Sequence, residues 1–263
     1  MFFPLMKTPH LEGFLDLLND SPNNWEKPFK RTAHIYSLQI ESNKWKTNKL
    51  FELNKGEYRR IYSDEFIDEM ALTNLLIIYP SATELPSVLE SLPKDKFWYS
   101  EVPAWRNTSG FINKDAQVSY QADVEPLPKS ASMLTFHPFI QFTEIKNYLV
   151  VLNLIANPII EKSDLYIFNS SDCELRGKES IYSNSVTTIE LDKYRFKPTD
   201  LPVFYSPQLA GIPFGLGISN DQKMLSLEHT HPPASFVLFG DRRKSQAIIK
   251  KRWIERLNQV INA

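Results

Sequence analysis

The chain has almost no cysteine. Cys173 stands alone among 263 residues, so no disulfide can form within the chain, and this usage points to a reducing, cytoplasmic setting. Glycine is scarce as well, eight residues against eighteen prolines. Few glycines leave few loops where backbone can approach a phosphate, while prolines supply rigid turns and strand ends. That balance leans away from nucleotide-binding α/β folds. Neither sign of charge is in excess: Lys plus Arg number 30, Asp plus Glu 31, and the formal net charge is −1. No global field gathers nucleic acid or anionic lipid. Long apolar runs are missing too. The most apolar stretch, Tyr148 to Ile160, is interrupted by Asn153, Asn157 and Pro158, whereas a bilayer-spanning helix needs about 20 apolar residues. The first residues, Met1-Phe2-Phe3-Pro4-Leu5-Met6-Lys7, lack a basic leader and break at Pro4, unlike a signal peptide. Neither a nucleic acid nor a membrane is therefore expected as a partner.

Large side chains are plentiful. Seventeen Phe, eleven Tyr and five Trp, within a 42% hydrophobic composition, provide the apolar area for a substantial core. Up to residue 104 the pattern reads as an N-terminal α/β portion. Leu11, Phe14, Leu15, Leu17 and Leu18 follow a helical spacing. Ser63 with Asp64 and Glu65 reads as the capped start of a helix to Leu72, and Thr83 with Pro86 as the start of another to Leu92. Strands are expected between them at Ala33–Ile40 and Leu75–Tyr79.

From 105 to 263 the pattern changes. Val118, Tyr120, Ala122 and Val124 alternate with polar residues, and further strands are expected at 133–136, 139–142, 148–155, 165–168, 186–191, 201–204, 224–228 and 236–239. Turn-formers separate them. This spacing predicts an antiparallel sandwich or barrel, closed by an amphipathic helix from Lys244 to Ile261 whose inward stripe is Ile249, Trp253, Leu257 and Val260. The fold class is therefore α+β and β-rich. Residues 1–104 and 105–263 form its two portions, as separate domains or as halves of one. No internal repeat is visible.

The strongest local chemistry is Glu228-His229-Thr230-His231-Pro232-Pro233. Residues two apart on a strand share a face, and paired imidazoles are a common ligand set for a divalent transition metal. His229 and His231 are thus candidate metal ligands, and with Glu228 and His137 candidate catalytic residues; Glu228 points the other way on a regular strand. The segment 229–240 resembles the first metal motif of cupin barrels, a His-x-His pair followed by an apolar strand ending in glycine, here Gly240. Ser235 stands where that motif has glutamate, and no second motif fits in the remaining chain. Histidines that simply shape a proline-rich turn are the plain alternative.

Trp98, Tyr99, Glu101, Trp105, Arg106 and Asn107 cluster between the two portions. Aromatic faces with polar neighbours suit a sugar or another polar ring. Ser119, Gln121 and Asp123 lie on one polar strand face that can line the same cleft. Trp98, Trp105, Arg106, Gln121 and Asp123 are the candidate ligand-binding residues. The competing reading is that the tryptophans seal an interface.

Other signals point away from chemistry. No Gly-x-Ser-x-Gly elbow selects a serine. Cys173 sits between Asp172 and Glu174, which raise a thiol's pKa. Gly211 to Gly217 lacks the Lys-Ser/Thr of a phosphate loop and reads as a loop where backbone passes close to backbone or to a ligand. The basic residues of the last helix read as a solvated face. Two functions follow as expectations. One is an enzyme of small polar molecule metabolism with a histidine-centred site. The other is a non-catalytic module that binds carbohydrate or takes part in an assembly.

Overall fold

The computed structural model describes residues 2–19, 32–68, 73–94, 107–121, 123–129, 131–136, 144–197, 199–229 and 242–263. Among the described residues, four antiparallel sheets and one C-terminal helix make up the fold. None of the sheets closes into a barrel. The chain divides into two compact units. The first comprises Met1–Leu127, Leu154–Ile160 and Asn184–Val186; the second comprises Pro128–Asn153, Glu161–Ser183 and Thr187–Ala263.

In the first unit, β1 (Phe3–Met6), β6 (Leu75–Ser81), β3 (Ala33–Glu41), β4 (Lys44–Leu53) and β7 (Val88–Leu89) form one sheet in that order. β5 (Tyr58–Tyr62), β2 (Glu12–Leu18), β8 (Asn107–Ile112) and β9 (Gln117–Gln121) form the other. Phe3, Leu5, Ile35, Leu76 and Ile78 of the first sheet share a core with Leu15, Leu17 and Ile61 of the second. The alternation of a strand turns each of these side chains to the same side as its register partner. Ser42 and Asn43 join β3 to β4 with φ of 51° and 59°, the two left-handed positions of a tight hairpin turn.

The second unit is built the same way. β10 (Met133–Phe136), β15 (Pro202–Ser206), β12 (Lys162–Asn169) and β13 (Leu175–Tyr182) form one sheet, and β14 (Ser185–Glu190), β11 (Ile145–Asn153), β16 (Ile212–Ser219) and β17 (Leu225–His229) the other. Met133, Leu165, Ile167 and Phe204 pack with Leu149, Val151 and Ile189 between them. With β7 set aside, the eight strands of each unit occur in the same chain order and pair in the same sheet order: β1-β6-β3-β4 matches β10-β15-β12-β13, and β5-β2-β8-β9 matches β14-β11-β16-β17. The topology is repeated although no sequence repeat is visible.

The face of each first-named sheet that points away from its core is also covered. In the second unit α1 (Arg242–Ile261) does this, setting Leu257, Trp253, Ile254 and Ile261 against Leu134, Phe136, Phe168, Val203 and Tyr205. Trp253 meets Phe136 edge-on at 5.0 Å, and Tyr205 Oη donates to Asn258 Oδ1 at 3.0 Å. In the first unit residues 154–160 are tied down there: Trp45 Nε1 donates to the Ala156 carbonyl at 3.0 Å, and Leu92 N donates to the same oxygen at 3.2 Å.

An N-terminal α/β portion is absent from the described residues. The segment read as a helix at Leu11–Leu18 is strand β2. It lies between β5 and β8 with Phe14, Leu15 and Leu17 all buried, so buried apolar side chains occur on both faces and the pattern imitates a helical one. Ser63 caps no long helix. Its hydroxyl accepts from Gly13 N at 2.8 Å, and only a single 3-10 turn follows, Ser63–Glu65. From Thr83 to Leu92 the chain bends through β7, because Pro86 and Ser87 carbonyls pair with Thr47 of β4. The segment expected as a loop at Gly211–Gly217 is mostly strand β16; Gly211 packs against the Val151 side chain, where an added Cβ would sit 2.4 Å from Cγ1. In α1 the inward stripe differs as well. Ile249 and Val260 are exposed, and Ile254 and Ile261 take their places. The strands expected at 139–142 and 236–239 lie outside the described residues. No helix among the described residues is long and apolar enough to cross a membrane.

Candidate functional site

A polar cluster stands on the outer face of the β5–β2–β8–β9 sheet. Asp16 faces Arg60 on one side and Thr108 on the other, each its direct register partner. The pairing makes a fork: Arg60 Nε donates to Asp16 Oδ1 at 2.7 Å and Nη2 to Oδ2 at 2.8 Å. Tyr58 Oη adds a hydrogen bond to Oδ1 at 2.6 Å, and Thr108 Oγ1 one to Oδ2 at 3.2 Å. Arg60 Nη1 reaches the Gln117 amide oxygen at 3.1 Å.

Below this network lies an aromatic floor. Phe14 is opposite Gly110 in the register, and its ring fills the space a side chain at 110 would need: a Cβ there would stand 2.9 Å from Phe14 Cε1. The Arg60 guanidinium covers the ring at 4.2 Å from its centroid, a cation–π contact. Phe14 is buried by this arrangement although it faces outward.

The electrostatics follow from the geometry. Partial burial pushes the Asp16 carboxyl up, but the hydrogen bonds from Arg60, Tyr58 and Thr108 outweigh it and hold its pKa below the ordinary 3.8. The same bond to Asp16 raises the Tyr58 phenol, and Asp16 raises the Arg60 guanidinium. The cluster is thus a fixed, fully charged pair, with no group poised near neutral pH for proton transfer. Its outer rim remains free to meet solvent: Tyr58 is 58% exposed, and Gln117, Ser119 and Gln121 point outward from edge strand β9.

Of the residues expected to form a site, Gln121 belongs to this face, paired with Thr108. Asp123 is exposed just beyond β9; desolvation of its carboxyl and the nearby Glu125 push its pKa up. Glu228 is exposed and pairs with Gly215. The His229 backbone ends β17, opposite Phe214. His137, His231, Trp98, Trp105 and Arg106 lie outside the described residues. Among the described residues no three His, Cys, Asp or Glu side chains gather as metal ligands would. Cys173 is buried, and burial with Asp172 raises its thiol despite Arg256 nearby.

Sequence reasoning missed Asp16, Tyr58, Arg60, Thr108 and Gln117. The available signal was alternation, Tyr58-x-Arg60-x-Tyr62 and Gln117-x-Ser119-x-Gln121, which marks strands with one polar face. Reading residues 11–18 as a helix hid Asp16 from that pattern. Comparison with known proteins finds no matching family model, no matching curated protein and no matching solved structure.

Proposed function

We propose that the protein is a non-catalytic binding protein made of two tandem β-sandwiches, and that the first binds a polar, carbohydrate-like ligand on its β5–β2–β8–β9 face. The observation that carries this reading is the held Tyr58 ring. It is 58% exposed, yet its hydroxyl is anchored on a carboxylate that Arg60 grips with a fork. A rigid aromatic surface beside outward amides and hydroxyls is what a sugar requires, one side for stacking and the other for hydrogen bonds. Gln117, Ser119 and Gln121 provide those groups along one strand. Asp123 belongs to the same proposal as a flanking acceptor, and Trp98, Trp105 and Arg106 as further contributors.

Titration with a panel of neutral and acidic saccharides, followed by backbone amide NMR, tests this. Shifts should concentrate on β5 and β9, and Tyr58→Ala and Gln121→Ala should each weaken binding roughly tenfold, about 1.4 kcal/mol. A panel that leaves these strands unmoved would remove the reading.

A second reading rests on β17 running extended to His229. A strand continued past that point sets residues 229 and 231 on one side. Glu228, His229, His231 and His137 would then serve an enzyme of small polar molecule metabolism, with a divalent transition metal on the two histidines. Metal content of the purified protein separates this reading from the first.

A further inference from the structure

On the opposite side of the first unit, a cavity of about 280 Å³ lies against the outward face of the β1–β6–β3–β4–β7 sheet. Leu38 and Ile40 of β3, Trp45 of β4, and Leu75 and Ile77 of β6 form its floor. Ile160 and Asn184 face them, with Gln39 and Thr73 completing the lining. Leu38, Trp45 and Ile77 are each no more than 2% exposed, whereas Ile160 is 41% exposed. The floor is therefore apolar, and the rim carries an aliphatic side chain that meets water.

The wall opposite the floor is held by fixed hydrogen bonds. Asn184 has φ of 51°, a conformation asparagine tolerates better than most residues. Its amide nitrogen donates to the Asn157 and Ile159 carbonyls at 2.8 and 3.0 Å, and its amide oxygen accepts from Ile155 N at 2.8 Å. Val186 N donates to the Thr73 carbonyl at 2.8 Å, and Trp45 Nε1 is occupied by Ala156. These bonds hold the lining residues in place before any ligand arrives, which removes an ordering cost from binding.

The chemistry of the lining limits what fits. Among the described residues no charged side chain lines the cavity, so a phosphate, a carboxylate or a cation buried there would lose its hydration without a partner from that lining. A smaller apolar cavity of about 150 Å³ suffices to bind benzene. We propose that this cavity is a binding site for a neutral, compact apolar molecule, a fused bicycle or a branched aliphatic chain. At most one hydrogen-bonding group of that ligand remains at the mouth, with the exposed Gln39 amide and the Thr73 hydroxyl. The site is separate from the polar face and does not depend on it.

Methyl and amide NMR of the full chain titrated with indole tests the proposal, with glucose as a polar control. Indole should shift Leu38, Ile40, Ile77 and Ile160 together and saturably, with half-saturation below about 1 mM, while glucose leaves them in place. Ile40→Trp, which fills the cavity from its partly buried side, should weaken indole tenfold or more. Ile160→Arg alters an exposed rim position and carries the test if Ile40→Trp lowers the unfolding midpoint. Absence of a saturable shift at these residues overturns the proposal, as does indole binding that a folded Ile40→Trp or Ile160→Arg variant leaves unchanged.

Discussion

Asp16 illustrates how a single side chain can tie together three strands. Its two oxygens receive bonds from Arg60 and Tyr58 on β5 and Thr108 on β8, and hydrogen bonds to a charged group contribute more than neutral ones. Because the folded pKa lies below 3.8, the ionised form is favoured by folding. The stabilisation is fully present above the unfolded value and is lost as pH falls through the folded one. Asp16→Asn should therefore lower stability at pH 7 by about 2 kcal/mol, measured by urea unfolding. The gap to wild type should narrow as the pH drops below 3.8; a gap that stays constant between pH 7 and pH 2.5 would show that charge is not its cause. Gly110 works with Asp16 at one remove. Its missing side chain leaves room for the Phe14 ring, over which the Arg60 guanidinium lies.

Among the elements, α1 was legible in sequence and its orientation was not. Apolar spacing and the absence of Pro and Gly between 242 and 261 suffice for a helix. Which stripe turns inward depends on the shape of the sheet it meets. Phe136, Phe168 and Tyr205 accept Trp253 and Leu257, which leaves Ile249 53% exposed. Leu257 is fully buried there. Leu257→Ala should cost about 3 kcal/mol, and Ile249→Ala less than 1 kcal/mol, in parallel denaturant titrations. Equal losses would return the inward stripe to the sequence-based one. The strands show the same division. β6 was readable because its apolar run is continuous and bounded by turn-formers, and β3, β10 and β12 because large apolar and aromatic residues dominate them. β2 was not, since burial on both of its faces erases the period of two that distinguishes a strand.

At the scale of the whole molecule, the repeated topology has no counterpart in the residue pattern. Sheet order is set by backbone pairing and by inside–outside alternation, and many unrelated sequences satisfy both. The first unit is discontinuous in sequence, since it includes residues 154–160 and 184–186. A fragment ending at Leu127 therefore lacks the Ala156 carbonyl that receives Trp45 and the Asn184 side chain that faces it. Residues 1–127 expressed alone should bind a hydrophobic dye and show poorly dispersed amide NMR signals, whereas the full chain should do neither. A fragment that unfolds cooperatively at the full chain's midpoint would show those segments to be dispensable.

The balance of charge, the abundance of aromatic residues and most of the β-strands were determined by the sequence itself, because composition and local periodicity act within a few residues. Tertiary structure alone decided that Asp16, Arg60, Tyr58 and Gln121 share one face, and that residues from β3, β4 and β6 meet Ile160 and Asn184 around a cavity. Asp16 and Gln121 lie 105 positions apart in the chain, and Leu38 and Asn184 lie 146 apart, and only strand register and the packing of layers bring them together.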